Sequence, residues 1–207
     1  MKHRRASSAP DQIILANVDW AGTKLTPLED SDLDLLYAWQ NAPGIRDLTM
    51  GFRFPVQKDA VRHWLQEIRE ENSKSRIVYA IRRKSSFAGV IQLHAIDPYQ
   101  RKALLGIFVG SPNERNQGVG SVSTALLLDY AFNGLDFRKV GLEVFSANHS
   151  AVRLYEKLGF VREGVKRKDY FIDGQCFDTL LFGMLREEFR LAIPKEANRL
   201  IASVETH

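Results

Sequence analysis

The chain has 207 residues, 44% hydrophobic and 26% charged, with a net charge of +4. That length and balance suit one domain with its own core. The longest apolar runs, about nine residues, are too short to cross a bilayer, and a lone Cys176 excludes an internal disulfide and a cysteine-based metal site.

Residues 1–20, opening MKHRRASSAPDQ, read as a flexible basic tail without the apolar segment of a secretory signal. A nucleic-acid arm would be salt-sensitive and lost on deleting residues 1–12; nothing else in the chain points to that partner, and neither nucleic acid nor membrane is expected. The single thiol fits a reducing, cytoplasmic setting.

Residues 23–28 (TKLTPL) predict a short strand. A helix over 31–41 follows, with Leu33, Leu36, Tyr37 and Trp39 apolar and Asp30 or Ser31 as its cap. Asn41-Ala42-Pro43-Gly44 stops it. Val61, Trp64, Leu65 and Ile68 mark a second helix over 57–72. Strands at 77–82 and 87–94 pair across Arg83-Lys84-Ser85-Ser86. A strand at 103–109, a helix at 121–133, a strand at 140–145 and a helix at 148–158 come next, the last stopped by Gly159. Lys166–Ile172 and Phe177–Leu185 form a hairpin about Asp173-Gly174. Residues 189–207 read as a peripheral helix or tail. The order is that of one mixed α/β domain over 21–188.

Between the strand ending at Val109 and the next helix lies RNQGVGS, Arg115-Asn116-Gln117-Gly118-Val119-Gly120-Ser121. Glycines let backbone amides approach an anion, and a helix N-terminus attracts negative charge. A nucleotide P-loop would need a following lysine, which is absent. A dinucleotide fingerprint would need a third glycine where Ser123 stands, and an acid near Arg138 and Lys139. From these residues alone, an anion site and a ligand-free turn both remain open.

About thirty residues on, LEVFSANHSAVRLYEKLGF spans Leu142 to Phe160. With the glycine loop it resembles the GNAT superfamily of acetyl-CoA-dependent N-acetyltransferases. Arg115, Gly118 and Gly120 match the Q/R-x-x-G-x-G/A signature. Asn148, Ala151, Tyr155, Gly159 and Phe160 match N-x-x-A-x-x-x-Y-x-x-x-G-F. The ending FVREGVKRKDYFIDGQCFDTLLFGML resembles the branch acetylating ribosomal proteins, spermidine and amino sugars, and the segment Trp39 to Arg46 resembles that branch more weakly.

The resemblance implies a mainly antiparallel central sheet with helices on both faces, splayed at the cofactor site. It implies that acetyl-CoA is the cosubstrate and that no metal is needed. Backbone amides from Asn116, Gln117, Gly118, Val119, Gly120 and Ser121 would hold the pyrophosphate, with Arg115 adding charge. The pantetheine arm would lie along Ile107, Phe108 and Val109, and Asn148 would hydrogen-bond it.

Acetyl transfer needs a neutral amine, although an alkyl ammonium has a pKa of about 10. It also needs a donor to the carbonyl oxygen and a proton for the leaving thiolate. The resemblance gives the proton to Tyr155, which is otherwise a core tyrosine, and the oxygen donor to the Val109 amide. Many relatives carry a glutamate on the strand before the loop; ALLGIFVG has none. Glu143, in its LEV context, and His94, which titrates near neutrality, are the alternative bases, and a water chain is a third. Cys176 reads as packed rather than nucleophilic. Arg46, Arg53 and His63 read as solvated charges, although Arg46, Phe52, Arg53 and Phe54 would suit a nucleotide-sugar acceptor; the resemblance places the hairpin edge, with Asp169 and Tyr170, near the acceptor. The acceptor is a small-molecule amine (an amino sugar or a polyamine) or a protein N-terminus, and the C-terminal hairpin could serve a homodimer. A non-catalytic acyl-CoA-binding module is the alternative to an enzyme.

Overall fold

The structure is a computed structural model that describes residues 22–46, 49, 54–70 and 75–192. The basic tail, Phe52, Arg53 and the Arg46 side chain lie outside them.

Seven strands, β1 (Thr23–Thr26), β2 (Arg76–Arg83), β3 (Ser86–Asp97), β4 (Lys102–Val109), β5 (Lys139–Phe145), β6 (Val161–Ile172) and β7 (Gln175–Leu185), form one sheet in the order β1-β2-β3-β4-β5-β7-β6. Every pairing is antiparallel except β4 with β5. The helices are α1 (Leu33–Asn41), α2 (Pro43–Arg46), α3 (Lys58–Glu70), α4 (Val119–Asp129), α5 (His149–Lys157) and α6 (Arg186–Ala192).

Strand alternation divides the core between the two faces. Tyr79, Ile81, Ile91, Leu93, Leu142 and Phe182 point into a larger core shared with α4 and α5. Val78, Ala80, Val90 and Phe108 point the other way, against Leu36 and Trp39 of α1 and Val61 and Leu65 of α3. The mainly antiparallel sheet with helices on both faces is the expected architecture. Among the described residues, no helix is long and apolar enough to cross a membrane.

Several boundaries move for local reasons. β1 ends at Thr26 because Pro27 has no N–H for a ladder. Neither Asp30 nor Ser31 caps the next helix. A 3₁₀ turn over Asp30–Asp32 precedes α1, and Asp32 accepts the Glu29 N–H at 2.9 Å in a capping box. On α1 the buried face is Leu36, Trp39 and Gln40, while Tyr37 is exposed. Both two-residue hairpin turns, Lys84-Ser85 and Asp173-Gly174, take positive φ throughout, the geometry that matches strand twist.

The long helix starts at Val119, two residues before the expected Ser121, and ends in a π turn over Tyr130–Gly134. β6 begins at Val161, five residues early, as an edge strand. The chain after β7 is not peripheral at its start: Phe189 is buried, 5.3 Å from the Phe132 ring.

Candidate active site

β4 and β5 pair over three residues only, Lys102 with Lys139, Ala103 with Val140 and Leu104 with Gly141. Beyond Leu104, β4 stays paired with β3 on its other side, while β5 stays paired with β7. The sheet therefore splits, leaving the β4 edge from Leu105 to Val109 without a neighbouring strand among the described residues. Gly110 donates to the Ala88 carbonyl at 2.9 Å, which puts its N–H on the β3 side. In an antiparallel pair the bonding direction alternates, so the N–H groups of Ile107 and Val109 face the gap. Peptide groups there need a partner, and an extended ligand can supply one by acting as a strand.

The glycine loop closes the far end of that edge. Gly118 is the N-cap of α4 with φ +78° and no side-chain cap. An L residue pays for that conformation, and glycine does not. Asn116 also has positive φ, +60°. The first intrahelical bond runs from Val122 N–H to Gly118 C=O at 3.0 Å. Among the described residues the amides of Val119, Gly120 and Ser121 are thus left unclaimed, aimed off the positive end of the helix. Gly120 has a different constraint: a Cβ there would sit 3.0 Å from Leu154 Cδ1 on α5. Arg115 is turned back on the strand, its Nε donating to Val109 C=O at 3.1 Å, so it braces the loop as well as bringing charge. A pyrophosphate fits this set of amides and a pantetheine-like arm fits the bare β4 edge.

Tyr155 lies on α5, on the larger-core side of the sheet. The residue is 6% exposed, and its ring packs 5.7 Å from Phe160 and 6.4 Å from Phe182. It is therefore a core tyrosine in its ring. Its hydroxyl is different: it has no hydrogen bond among the described residues, and the closed-in unpartnered side-chain atoms are those of Thr23, Ser123, Thr124 and Thr179. Burial pushes the phenol up to about 12, so it stays protonated at neutral pH. Asn148 caps α5, its Oδ1 accepting from Ala151 N–H at 3.2 Å and Ser150 Oγ at 3.0 Å. That oxygen is committed to the helix, whereas the resemblance gives the residue to the cofactor.

His94 and Glu143 lie on the opposite face. Each neighbours a core-facing residue, Leu93 and Leu142, so strand alternation turns them away from the larger core. Gln92 joins them: it and His94 both lie within 4 Å of where a Cβ on Gly106 would stand. Tyr155 and the polar group of Gln92, His94 and Glu143 thus lie on opposite faces of the sheet. Burial, then Arg76, holds His94 below the ordinary histidine value, with Glu143 opposing them. Glu143 itself is engaged, its two oxygens accepting from Lys166 Nζ at 2.8 and 2.7 Å.

Neither Gln92, Arg76 nor Lys166 stands out in the sequence. Gln92 could have been found as the residue two before His94 in the same strand. The ion pair spans β5 and β6, which no local pattern records.

Other candidates fall elsewhere. Cys176 is exposed near the tip of the β6–β7 hairpin, not packed as expected, because β6 is an edge strand that covers little. His63 and Phe54 are exposed. Asp169 is exposed beside Tyr170, whose ring stacks on Phe145 at 5.4 Å and whose hydroxyl donates to the Thr49 carbonyl at 3.1 Å. Among the described residues, no three His, Cys, Asp or Glu side chains cluster as a metal site.

Residues 23–161 match the family described as "Acetyltransferase (GNAT) domain". The chain is 32% identical over 139 residues to an uncharacterized SPbeta prophage-derived N-acetyltransferase of Bacillus subtilis, covering 67% of this chain and 76% of that protein. It is 28% identical over 166 residues to the spermidine N(1)-acetyltransferase of Escherichia coli K12, covering 80% and 87%. The solved spermidine N-acetyltransferase of Vibrio cholerae, in complex with CoA and spermine, superposes with a TM-score of 0.74 at 25% identity, over 82% of this chain and 98% of that one. The chain belongs to the GNAT family and is an acetyl-CoA-dependent N-acetyltransferase, moving an acetyl group to an amine.

Proposed function

We propose that acetyl-CoA lies in the gap between β4 and β5 and that a neutral primary amine attacks it directly, within a ternary complex. The observation that carries this reading is the bare β4 edge, running from Leu105 into a glycine loop whose helix amides are unclaimed. In this reading Ile107, Phe108 and Val109 hold the pantetheine arm. The amides of Asn116 to Ser121 hold the pyrophosphate, with Arg115 beside them and Asn148 at the α5 end.

The Val109 N–H faces the gap and donates to the carbonyl oxygen as it gains charge. Tyr155 supplies the proton to the leaving thiolate; its buried, neutral phenol suits a donor. His94 accepts the amine's proton. Its lowered pKa keeps it neutral at physiological pH, which a base requires, whereas the Glu143 carboxylate is engaged by Lys166. Glu143 then acts by placing negative charge near His94 and the incoming ammonium.

The acceptor is a small-molecule amine. The relatives named for spermidine make a polyamine the first compound to try, followed by amino sugars and peptide N-termini. The exposed apolar side chains of edge strand β6, Val161, Val165 and Phe171, suit a homodimer contact. A single thiol fits a cytoplasmic enzyme.

Initial rates with both substrates varied test the reading. Intersecting double-reciprocal lines, unchanged in pattern by Cys176→Ser, are expected of a ternary complex. Parallel lines lost with Cys176→Ser would show a covalent acetyl-enzyme and overturn direct attack.

A further inference from the structure

The loop that forms the anion cradle is held at both ends by arginines. Arg115 ties it to its own strand, as described. The second tie comes from two strands away. Arg83, the last residue of β2, donates from Nη1 to the Gln117 carbonyl at 2.9 Å, and its Nε lies 3.2 Å from a Glu114 carboxylate oxygen. Arg83 is itself fixed, its backbone paired with Thr23 of β1 and Ser86 of β3. Its side chain is 21% exposed and that of Glu114 25%, so the pair is shielded from water on most sides. Arginine suits this task because its planar fork serves a carbonyl and a carboxylate together.

The bond to Gln117 has a directional consequence. In a trans peptide the C=O and the following N–H point opposite ways. Turning the Gln117 carbonyl toward Arg83 therefore turns the Gly118 N–H away from Arg83. The positive φ of Gly118 carries the chain directly from that peptide into the first turn of α4. One side-chain bond thereby sets the orientation of the peptide that opens the row of amides at Val119, Gly120 and Ser121. Glu114 neutralises the guanidinium and holds it on the carbonyl side.

We propose that Arg83 is a positioning residue for the cosubstrate: through the Gln117 carbonyl it pre-forms the amide cradle that receives the pyrophosphate of acetyl-CoA. This rests on the reading of residues 116–121 as that cradle. Pre-formation matters because a loop that must be ordered on binding loses affinity to the ordering. The guanidinium need not touch the phosphates.

The test compares Arg83→Gln and Arg83→Lys with the native chain, using CoA titration and steady-state kinetics with two acetyl donors, acetyl-CoA and S-acetylpantetheine. The second donor has no pyrophosphate. Native CoA binding is measured first; its absence would sink the cradle reading itself, and this proposal with it. Given that binding, Arg83→Gln is expected to weaken CoA roughly tenfold, the scale of one hydrogen bond from a charged donor. The loss should fall on KM for acetyl-CoA rather than on kcat. It should exceed the loss with S-acetylpantetheine by about fivefold or more. Arg83→Lys should recover only part of the affinity, since one ammonium cannot reproduce the fork. Unchanged CoA affinity in Arg83→Gln would overturn the proposal. Equal losses with both donors would overturn it too, by showing general damage to the fold. Full recovery with lysine would replace positioning by simple charge attraction.

Discussion

Replacing Tyr155 by phenylalanine separates its two roles. The ring fills the core between Phe160 and Phe182, and phenylalanine keeps that ring. The hydroxyl makes no hydrogen bond among the described residues and is not one of the closed-in atoms. Removing it breaks no internal bond, so stability should change by no more than about 1 kcal/mol. For a chain of this length that is a melting shift of at most about 4 °C. Catalysis should behave differently. A positioned acid contributes about 10² to 10⁴ in rate, equivalent to roughly 3 to 5 kcal/mol of barrier. The expected result is therefore a near-native melting curve with kcat lower by at least about a hundredfold, followed by thiol release at saturating acetyl-CoA and amine. CoA affinity should hold within a few fold. A kcat within about threefold of native would refute the acid role and leave Tyr155 as a core residue only.

Four further outcomes follow from particular contacts. Gly118→Ala has open space for its methyl group but must keep φ +78°, so it should cost about 1 to 2 kcal/mol in chemical unfolding and weaken CoA in titration. Asp32→Asn should cost about 3 to 5 kcal/mol, since Asp32 is 2% exposed and accepts from both Arg82 terminal nitrogens at 2.6 and 2.8 Å; melting should fall by roughly 6 to 20 °C. The His94 pKa is lowered on folding, so the unfolded chain binds more protons there; its stabilising contribution is complete above the ordinary value and is lost as pH falls from there through the lowered value of the folded chain. In rate measurements kcat/KM should decline on the acid side through that same neutral-to-charged step, and His94→Gln should flatten the limb while lowering the rate. Glu143→Gln removes the partner of Lys166 and the negative charge that acts on His94; KM for the amine should rise more than kcat falls, and native-like amine kinetics would remove Glu143 from the site.

What the sequence made legible was local. Gly118 and Gly159 announce a turn and a stop within a few residues of themselves, and both sit at those junctions, while Asn148, read as the first helical residue, is the cap just before it. The apolar alternation of β2 and β3 likewise needs no knowledge of distant chain. The missing parts depend on pairings across the fold. Nothing near Leu104 says that β5 will leave β4 after three residues; the splay is expected from the family resemblance alone, and its position follows from β5 keeping its register with β7. Arg83 looks like a hairpin-turn charge until its reach to Gln117, thirty-four residues on, is seen. The start of β6 is hidden because its first nine residues are almost wholly solvated, which erases the two-residue period. The same openness exposes Cys176. Phe189 was misplaced because an isolated aromatic in a charged segment carries no period, and only the folded chain brings it to Phe132.

The proposed mechanism depends above all on acetyl-CoA occupying the β4–β5 gap against the glycine loop. Amide hydrogen exchange with and without saturating CoA tests it most directly. Exchange should slow at Ile107, Val109 and the amides of Gly118 to Ser121, with little change along β1 or at the β6–β7 turn. Protection confined to other segments, with those amides exchanging as before, would contradict it.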